Sequence, residues 1–283
     1  MADRKTDKTF VLGVGTQKAA TSWFRRELDS CDYADMGLMK EYHVWDAISD
    51  PTFKSFLGRD TFQKRSDQRE LRTSMQNDTD VYFDYFDRLC SPEKGIYVTG
   101  DVTPSYCVLP ETVLRRIADG LREKGFSIRV VFLMRDPVER CWSAVRMNRR
   151  NAKNDSRLKT VRNYLVSEAN HVALTYKNEL NRKVTSYHKA VRNLESAFSP
   201  EELYIGIYEN MFLPENLEKL SDFVGVAFSA GSVSQKMNSS EKSKDIPEAL
   251  ERTVALYYED VYKFCAARFP EVTGLWGGFR YLP

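Results

Sequence analysis

Apolar residues fall into two patterns along the chain. Short, nearly unbroken apolar runs stand at 9–13 (TFVLG), 96–100 (IYVTG), 128–134 (IRVVFLM) and 202–208 (ELYIGIY). Runs of this length, rich in β-branched and aromatic residues, predict strands. The 128–134 run has no polar alternation beyond Arg129, which predicts a central parallel strand buried on both faces. Between the runs the apolar spacing becomes helical. A helix is predicted over 21–28, after a glycine-containing loop. A second opens at Pro110 and places Val113, Leu114, Ile117 and Leu121 on one face. Pro137 suits the first position of a third. Further helices are predicted from Pro214 to 223 and, as one long piece, over 247–267. Strands alternating with helices predict an α/β fold, a three-layer sandwich around a central parallel sheet. Two stretches depart from this rhythm. Residues 50–80 are polar and read as a helical insertion, and 149–160 (RRNAKNDSRLKT) reads as a charged loop or cover. With no repeat, low-complexity tract or linker, residues 1–283 are expected to form a single domain.

Composition narrows the class. Of 283 residues, 42% are hydrophobic and 29% charged, as in a soluble globular enzyme. The 42 Lys and Arg nearly balance the 40 Asp and Glu, leaving +2, which argues against a dedicated nucleic-acid binder. No apolar run is long enough for a membrane span, and the N-terminal text lacks a signal-peptide core. The five cysteines are odd in number and none stands in a CxxC pair. A disulfide framework or zinc site is therefore not expected, and a reducing cytoplasm is.

Ligands of such sheets bind beyond the carboxyl ends of the strands, so the first loop is the first place to look. It reads Gly15-Thr16-Gln17-Lys18-Ala19-Ala20-Thr21-Ser22-Trp23. Small residues let backbone N–H groups approach an anion, a helix N-terminus adds positive potential, and Lys18, Thr21 and Ser22 offer an ammonium and two hydroxyls. The Walker A pattern GxxxxGK[ST] is not met, because the lysine comes three residues before Thr21. A strand-to-helix turn with an incidental lysine is the plain alternative. The second anchor is VVFLMRDPVERCWSAV, where a strand ends in Arg135-Asp136-Pro137 and Ser143 lies eight residues after Arg135. That is about two helical turns, so an arginine fork and a hydroxyl can serve one phosphate.

The two motifs, in this order and each after a strand, resemble the sulfotransferase family. Lys18, Thr21 and Ser22 match the Lys-x-Gly-Thr-Thr loop that holds the 5′-phosphosulfate of 3′-phosphoadenosine-5′-phosphosulfate (PAPS), with Ala20 where the family prefers glycine. Trp23 matches a tryptophan that stacks on adenine. Arg135 and Ser143 match the Arg-x7-Ser pair for the 3′-phosphate. The likeness continues through GDVTPSY at 100–106, SYHKAVRNLESAF, the strand ending IYENM, and the terminal helix ending near Trp276. It implies a P-loop NTPase-like sulfotransferase fold and sulfuryl transfer from PAPS without a metal, Lys18 stabilising the leaving phosphate. Gln17, Ala19 and Ala20 would complete the donor loop, and Lys242 and Lys244 would lie in a basic loop over the 3′-phosphate.

Sulfuryl transfer also needs a base. Lys40-Glu41-Tyr42-His43-Val44-Trp45 resembles the Lys-Glu-x-His-Phe-Phe element of glycosaminoglycan sulfotransferases and their bacterial relatives, in which the glutamate is the base. The resemblance makes Glu41 the base, with Lys40 and His43 in the acceptor pocket; His43 is the competing base. His171 and His188 fall in helical stretches. Asp101 and Tyr106 are candidate acceptor contacts, although Tyr106 could equally pack in the core. Val102 stands where glycan-acting relatives carry lysine, which argues against a strongly anionic sugar. The acceptor could be a small molecule, lipid or saccharide bearing a hydroxyl or amine. The local excess of cations over 135–162 fits an anionic ligand or a solvated helix. Two other classes stay open: a P-loop small-molecule kinase using ATP and Mg²⁺, and a nucleotide-binding module without turnover.

Overall fold

The computed structural model describes residues 8–58, 66–154, 167–228 and 246–283. Four strands, β1 (Thr9–Gly15), β2 (Val98–Val102), β3 (Ser127–Met134) and β4 (Leu203–Ile207), form one parallel sheet in the order β2-β1-β3-β4. Because successive side chains alternate in direction, each strand feeds both faces. Phe10, Leu12 and Val14 of β1 and Val130, Phe132 and Met134 of β3 enter one core; Val11, Val131 and Leu133 enter the other. The fold is thus α/β with a central parallel sheet between helical layers. The first layer includes α4 (Asp80–Leu89), α5 (Glu111–Glu123) and α9 (Tyr187–Ala197); the second is built on α1 (Thr21–Asp29) and α10 (Pro214–Val224). The remaining described helices are α2 (Trp45–Ser49), α3 (Ser66–Asn77), α6 (Pro137–Asn154), α7 (Glu168–Thr175), α8 (Glu179–Thr185), α11 (Glu248–Tyr257), α12 (Glu259–Arg268) and α13 (Val272–Leu275).

The strand order reverses between β1 and β3: from β1 the chain goes to one neighbour, then crosses back to the other side. The loops after β1 and β3 therefore splay apart and leave a crevice, the usual ligand position in such a sheet. Lys18 and Arg135 stand on its two sides. Gly100 makes the sheet possible at this point, since a Cβ there would lie 2.0 Å from the Val11 carbonyl oxygen.

Several expected boundaries move. The strand expected at 96–100 occupies Val98–Val102; just before it the Tyr97 carbonyl accepts the Thr9 amide of β1, while the Tyr97 and Val98 amides bond to the Tyr33 carbonyl. The stretch 149–160 is not loop throughout, as α6 continues to Asn154. The long helix expected over 247–267 breaks at Tyr258 (φ −100°, ψ 19°), whose buried phenol donates to the Tyr176 carbonyl. The stretch 50–80 holds a 3-10 turn at Pro51–Phe56 and α3, and these supply contacts to the candidate site. Among the described residues, no helix is long and apolar enough to cross a membrane.

Candidate active site

The loop after β1 is built around left-handed backbone. Lys18 (φ 76°) and Ala20 (φ 63°) both adopt positive φ, which for an L-residue costs about 1 kcal/mol and which glycine takes freely. Ala20 is the residue before α1, a position whose conformation glycine would take without this cost. Thr16 anchors the loop, donating its hydroxyl to the Val184 carbonyl (2.6 Å) and its amide to the Leu133 carbonyl (2.7 Å). Among the described residues, no carbonyl accepts from the amides of Lys18, Ala20, Thr21 or Ser22. These donors, two of them in the first turn of α1, are the kind of unpaired backbone amides that bind an anion at a helix N-terminus.

The Lys18 ammonium is pushed down to about 8, first by burial and then by Arg150, Arg135, Lys40 and Arg146. The four charged groups that lower it are all cations, with Glu139 paired to two of them, Arg135 and Arg146, a surplus of positive charge that suits an anion. Arg135 leaves β3 and crosses the crevice to donate to the Lys18 carbonyl (3.1 Å) and to Glu139 (3.2 Å). Its guanidinium stacks 4.4 Å from the centre of the Tyr208 ring, and its Nε is buried with no partner among the described residues. Tyr187 holds the backbone by donating to the Arg135 carbonyl (2.8 Å). Ser143 lies one turn beyond Glu139 on α6, and Arg146 and Arg150 extend the same face.

A second cluster stands beside this crevice. His43 is 4% exposed and stacks on Phe56 with ring centres 3.6 Å apart. Its Nδ1 lies 2.7 Å from Asp46 Oδ2 and its Nε2 3.1 Å from Glu41 Oε2. Carboxylates only accept, so both ring nitrogens donate and the imidazole is held as the cation. Burial pushes the imidazole down, but the hydrogen bonds and charges of Asp46 and Glu41 prevail and raise it to about 9. Burial pushes the Glu41 carboxyl up; the hydrogen bond and charge of His43, with Lys40 and Arg72, bring it below its ordinary value. Ser105 donates to Asp46 Oδ2 (2.5 Å) and closes the line at its buried end. At the other end the Glu41 side chain is 33% exposed.

The structure thus joins Lys18, Ala20, Thr21, Ser22 and Arg135 around one crevice, with Gln17 half-buried in the loop and Ala19 fully buried beneath it. It joins Glu41 to His43, with Lys40 exposed beside them. Three expectations are corrected. Asp101 and Tyr106 are 0% exposed and cannot touch an acceptor; they belong to the support of the Glu41 segment. Val102 is 2% exposed within β2, with its methyls about the space a Gly13 Cβ would need, so it packs the sheet and does not report on acceptor charge. Trp23 is 4% exposed and meets Phe212 and Phe228 edge to face, a packing position in the second core. His171 and His188 lie on α7 and α9. Lys242 and Lys244 lie outside the described residues. Asp46 and Ser105 went unnoticed in the sequence. Asp46 had a signal, since its i+3 spacing from His43 lets both meet across one turn.

The chain matches no family model and no curated protein sequence. Solved structures do match. The sulfotransferase from Alicyclobacillus acidocaldarius aligns with a TM-score of 0.58 at 16% identity, covering 93% of this chain and 96% of its own. The sulfotransferase domain of the Synechococcus PCC 7002 olefin synthase aligns over 94% and 97%, with a TM-score of 0.48 at 15% identity. From the bacterial enzyme at near-full coverage of both chains, together with the sheet order and the placement of the two loops, this chain has the sulfotransferase fold.

Proposed function

We propose that the protein transfers a sulfuryl group from PAPS to the hydroxyl or amine of a small-molecule, lipid or saccharide acceptor. The observation that carries this reading is the pairing of a crevice, in which Lys18, Arg135, Arg146 and Arg150 bring together an excess of positive charge, with a carboxylate–imidazole–carboxylate line on the neighbouring segment. The amides of the first loop and the Lys18 ammonium suit a phosphosulfate, and Arg135 with Ser143 suits a 3′-phosphate.

In this reading the Glu41 carboxylate takes the acceptor proton. The acceptor oxygen or nitrogen bonds to sulfur as the bond from sulfur to the 5′-phosphate oxygen breaks, and that electron pair stays on the phosphate. Lys18 stabilises the charge arriving there; held near 8, it can also give up a proton to it. His43 and Asp46 keep Glu41 ionised at neutral pH. That lowers its basicity, so its efficiency depends on where its oxygen is held. The proposal includes a cytoplasmic setting and action of residues 1–283 as one domain.

The test is thermal stabilisation by 3′-phosphoadenosine-5′-phosphate, by ATP with Mg²⁺ and by GTP, since a ligand of the folded state raises the melting temperature. Stabilisation by the bisphosphate alone is expected. Stabilisation by ATP with Mg²⁺ but not by the bisphosphate would refute the donor. Glu41→Gln that binds the bisphosphate and turns over normally would remove Glu41 from the base role.

A further inference from the structure

We infer that Asp101 is a positioning residue that acts through Thr103 to hold the Glu41–His43 segment in a left-handed backbone conformation, an inference that rests on Glu41 being the base. His43 has φ 50°, a left-handed value that few residues other than glycine adopt and that surrounding contacts must hold. Those contacts are present on both edges of the segment. From α3, Arg72 donates to the carbonyls of Glu41 (2.7 Å) and Tyr42 (2.6 Å), and Gln76 donates to the carbonyl of His43 (2.8 Å). From the end of β2, the Thr103 hydroxyl accepts the Tyr42 amide (2.8 Å) and the Tyr106 hydroxyl accepts the Val44 amide (3.2 Å). The two amides straddle His43.

Asp101 makes this second edge work. It is 0% exposed and, among the described residues, its carboxylate makes no hydrogen bond to the segment itself. Thr103 donates to its Oδ1 (2.6 Å) and Tyr82 donates to its Oδ2 (3.2 Å). A carboxylate only accepts, so each hydroxyl must point its proton at Asp101 and leave its lone pairs outward. The outward lone pair of Thr103 is what the Tyr42 amide needs, and Tyr106 accepts the Val44 amide beside it. An amide side chain at 101 would present two donors and turn at least one hydroxyl round. The carboxylate thus sets the direction of a hydrogen bond that helps fix a left-handed residue, and with it the place of the Glu41 oxygen.

Thr103→Val removes the Tyr42 acceptor, and Thr103→Ser keeps it. Turnover at saturating donor and acceptor, stabilisation by 3′-phosphoadenosine-5′-phosphate, and the His43 titration by ¹⁵N NMR are compared. Thr103→Val is expected to lower kcat about tenfold to hundredfold, the cost of a misplaced group. Bisphosphate stabilisation stays at the wild-type value, and the His43 titration moves toward that of a free imidazole. Thr103→Ser restores both. A folded Thr103→Val with wild-type kcat and an unmoved His43 titration overturns the inference. Asp101→Asn, which turns the Thr103 hydroxyl round, is read in the same way and also stands in for Thr103→Val if that variant does not fold. The NMR readout needs no turnover: a moved titration in a chain that transfers no sulfuryl group supports the clamp and removes the base reading.

Discussion

Raising the pH from 6.5 to 9 is expected to remove about 3 kcal/mol of stability through His43. The imidazole goes from its ordinary 6.5 to about 9 in the fold, because Asp46 and Glu41 together outweigh its burial. At about 1.4 kcal/mol per pH unit, that rise is worth roughly 3 kcal/mol. The sign follows from proton uptake. The folded state binds the proton more tightly than the unfolded state, so the contribution is complete below 6.5 and is lost as pH rises through 9. His43 is 4% exposed, so salt screens the interaction little. Other groups titrate nearby: burial raises Glu209 to about 7, and burial and neighbouring cations lower Lys18 to about 8. The measurement is therefore a difference. Urea unfolding of the wild type and of His43→Asn is followed at about pH 6 and about pH 9, with slopes compared to check that the exposed area is unchanged. The wild type is expected to lead by several kcal/mol at the lower pH and to lose roughly 3 kcal/mol of that lead at the higher. A lead that stays constant across the range would refute the doubly paired imidazolium.

Three further outcomes follow from the same geometry. Lys18→Ala is expected to cut kcat by about a hundredfold to a thousandfold, the loss typical of one donor to a developing oxyanion, in a single-turnover assay with labelled donor. Ala20→Gly removes a left-handed alanine (φ 63°) and is expected to leave the melting temperature equal or slightly higher, within about 1 kcal/mol; a larger loss by calorimetry would contradict the strain. Gly100→Ala forces a methyl to 2.0 Å from the Val11 carbonyl oxygen, so a stability loss above about 3 kcal/mol, or no folded protein, is expected by circular dichroism.

The parts that local text conveys well are those with local causes. A strand buried on both faces must be apolar throughout, so 128–134 reads directly as β3, and proline at a helix start marks α6 and α10. An anion loop needs small residues, hydroxyls and a lysine next to one another, so residues 15–23 are recognisable before any fold is known. Glu41 and His43 are two positions apart, and their pairing is within reach of a short motif.

What stayed hidden depends on chain segments far apart in sequence. Ser105 meets Asp46 across 59 residues, Thr103 meets Tyr42 across 61, and Arg72 meets Tyr42 across 30. Asp101 and Tyr106 look like ligand contacts in one dimension because they are polar residues beside a strand end. Only the pairing of β2 with β1, with Asp101 opposite Leu12, carries them inside. The break at Tyr258 is likewise imposed from outside its helix, by the Tyr176 carbonyl. Residue type and spacing thus determined which chemistry the chain could carry and which segments would be buried. Packing decided which carboxylate faces the crevice and which is enclosed, because burial and hydrogen-bond partners, the quantities that set a carboxylate's charge and reach, belong to the assembled sheet.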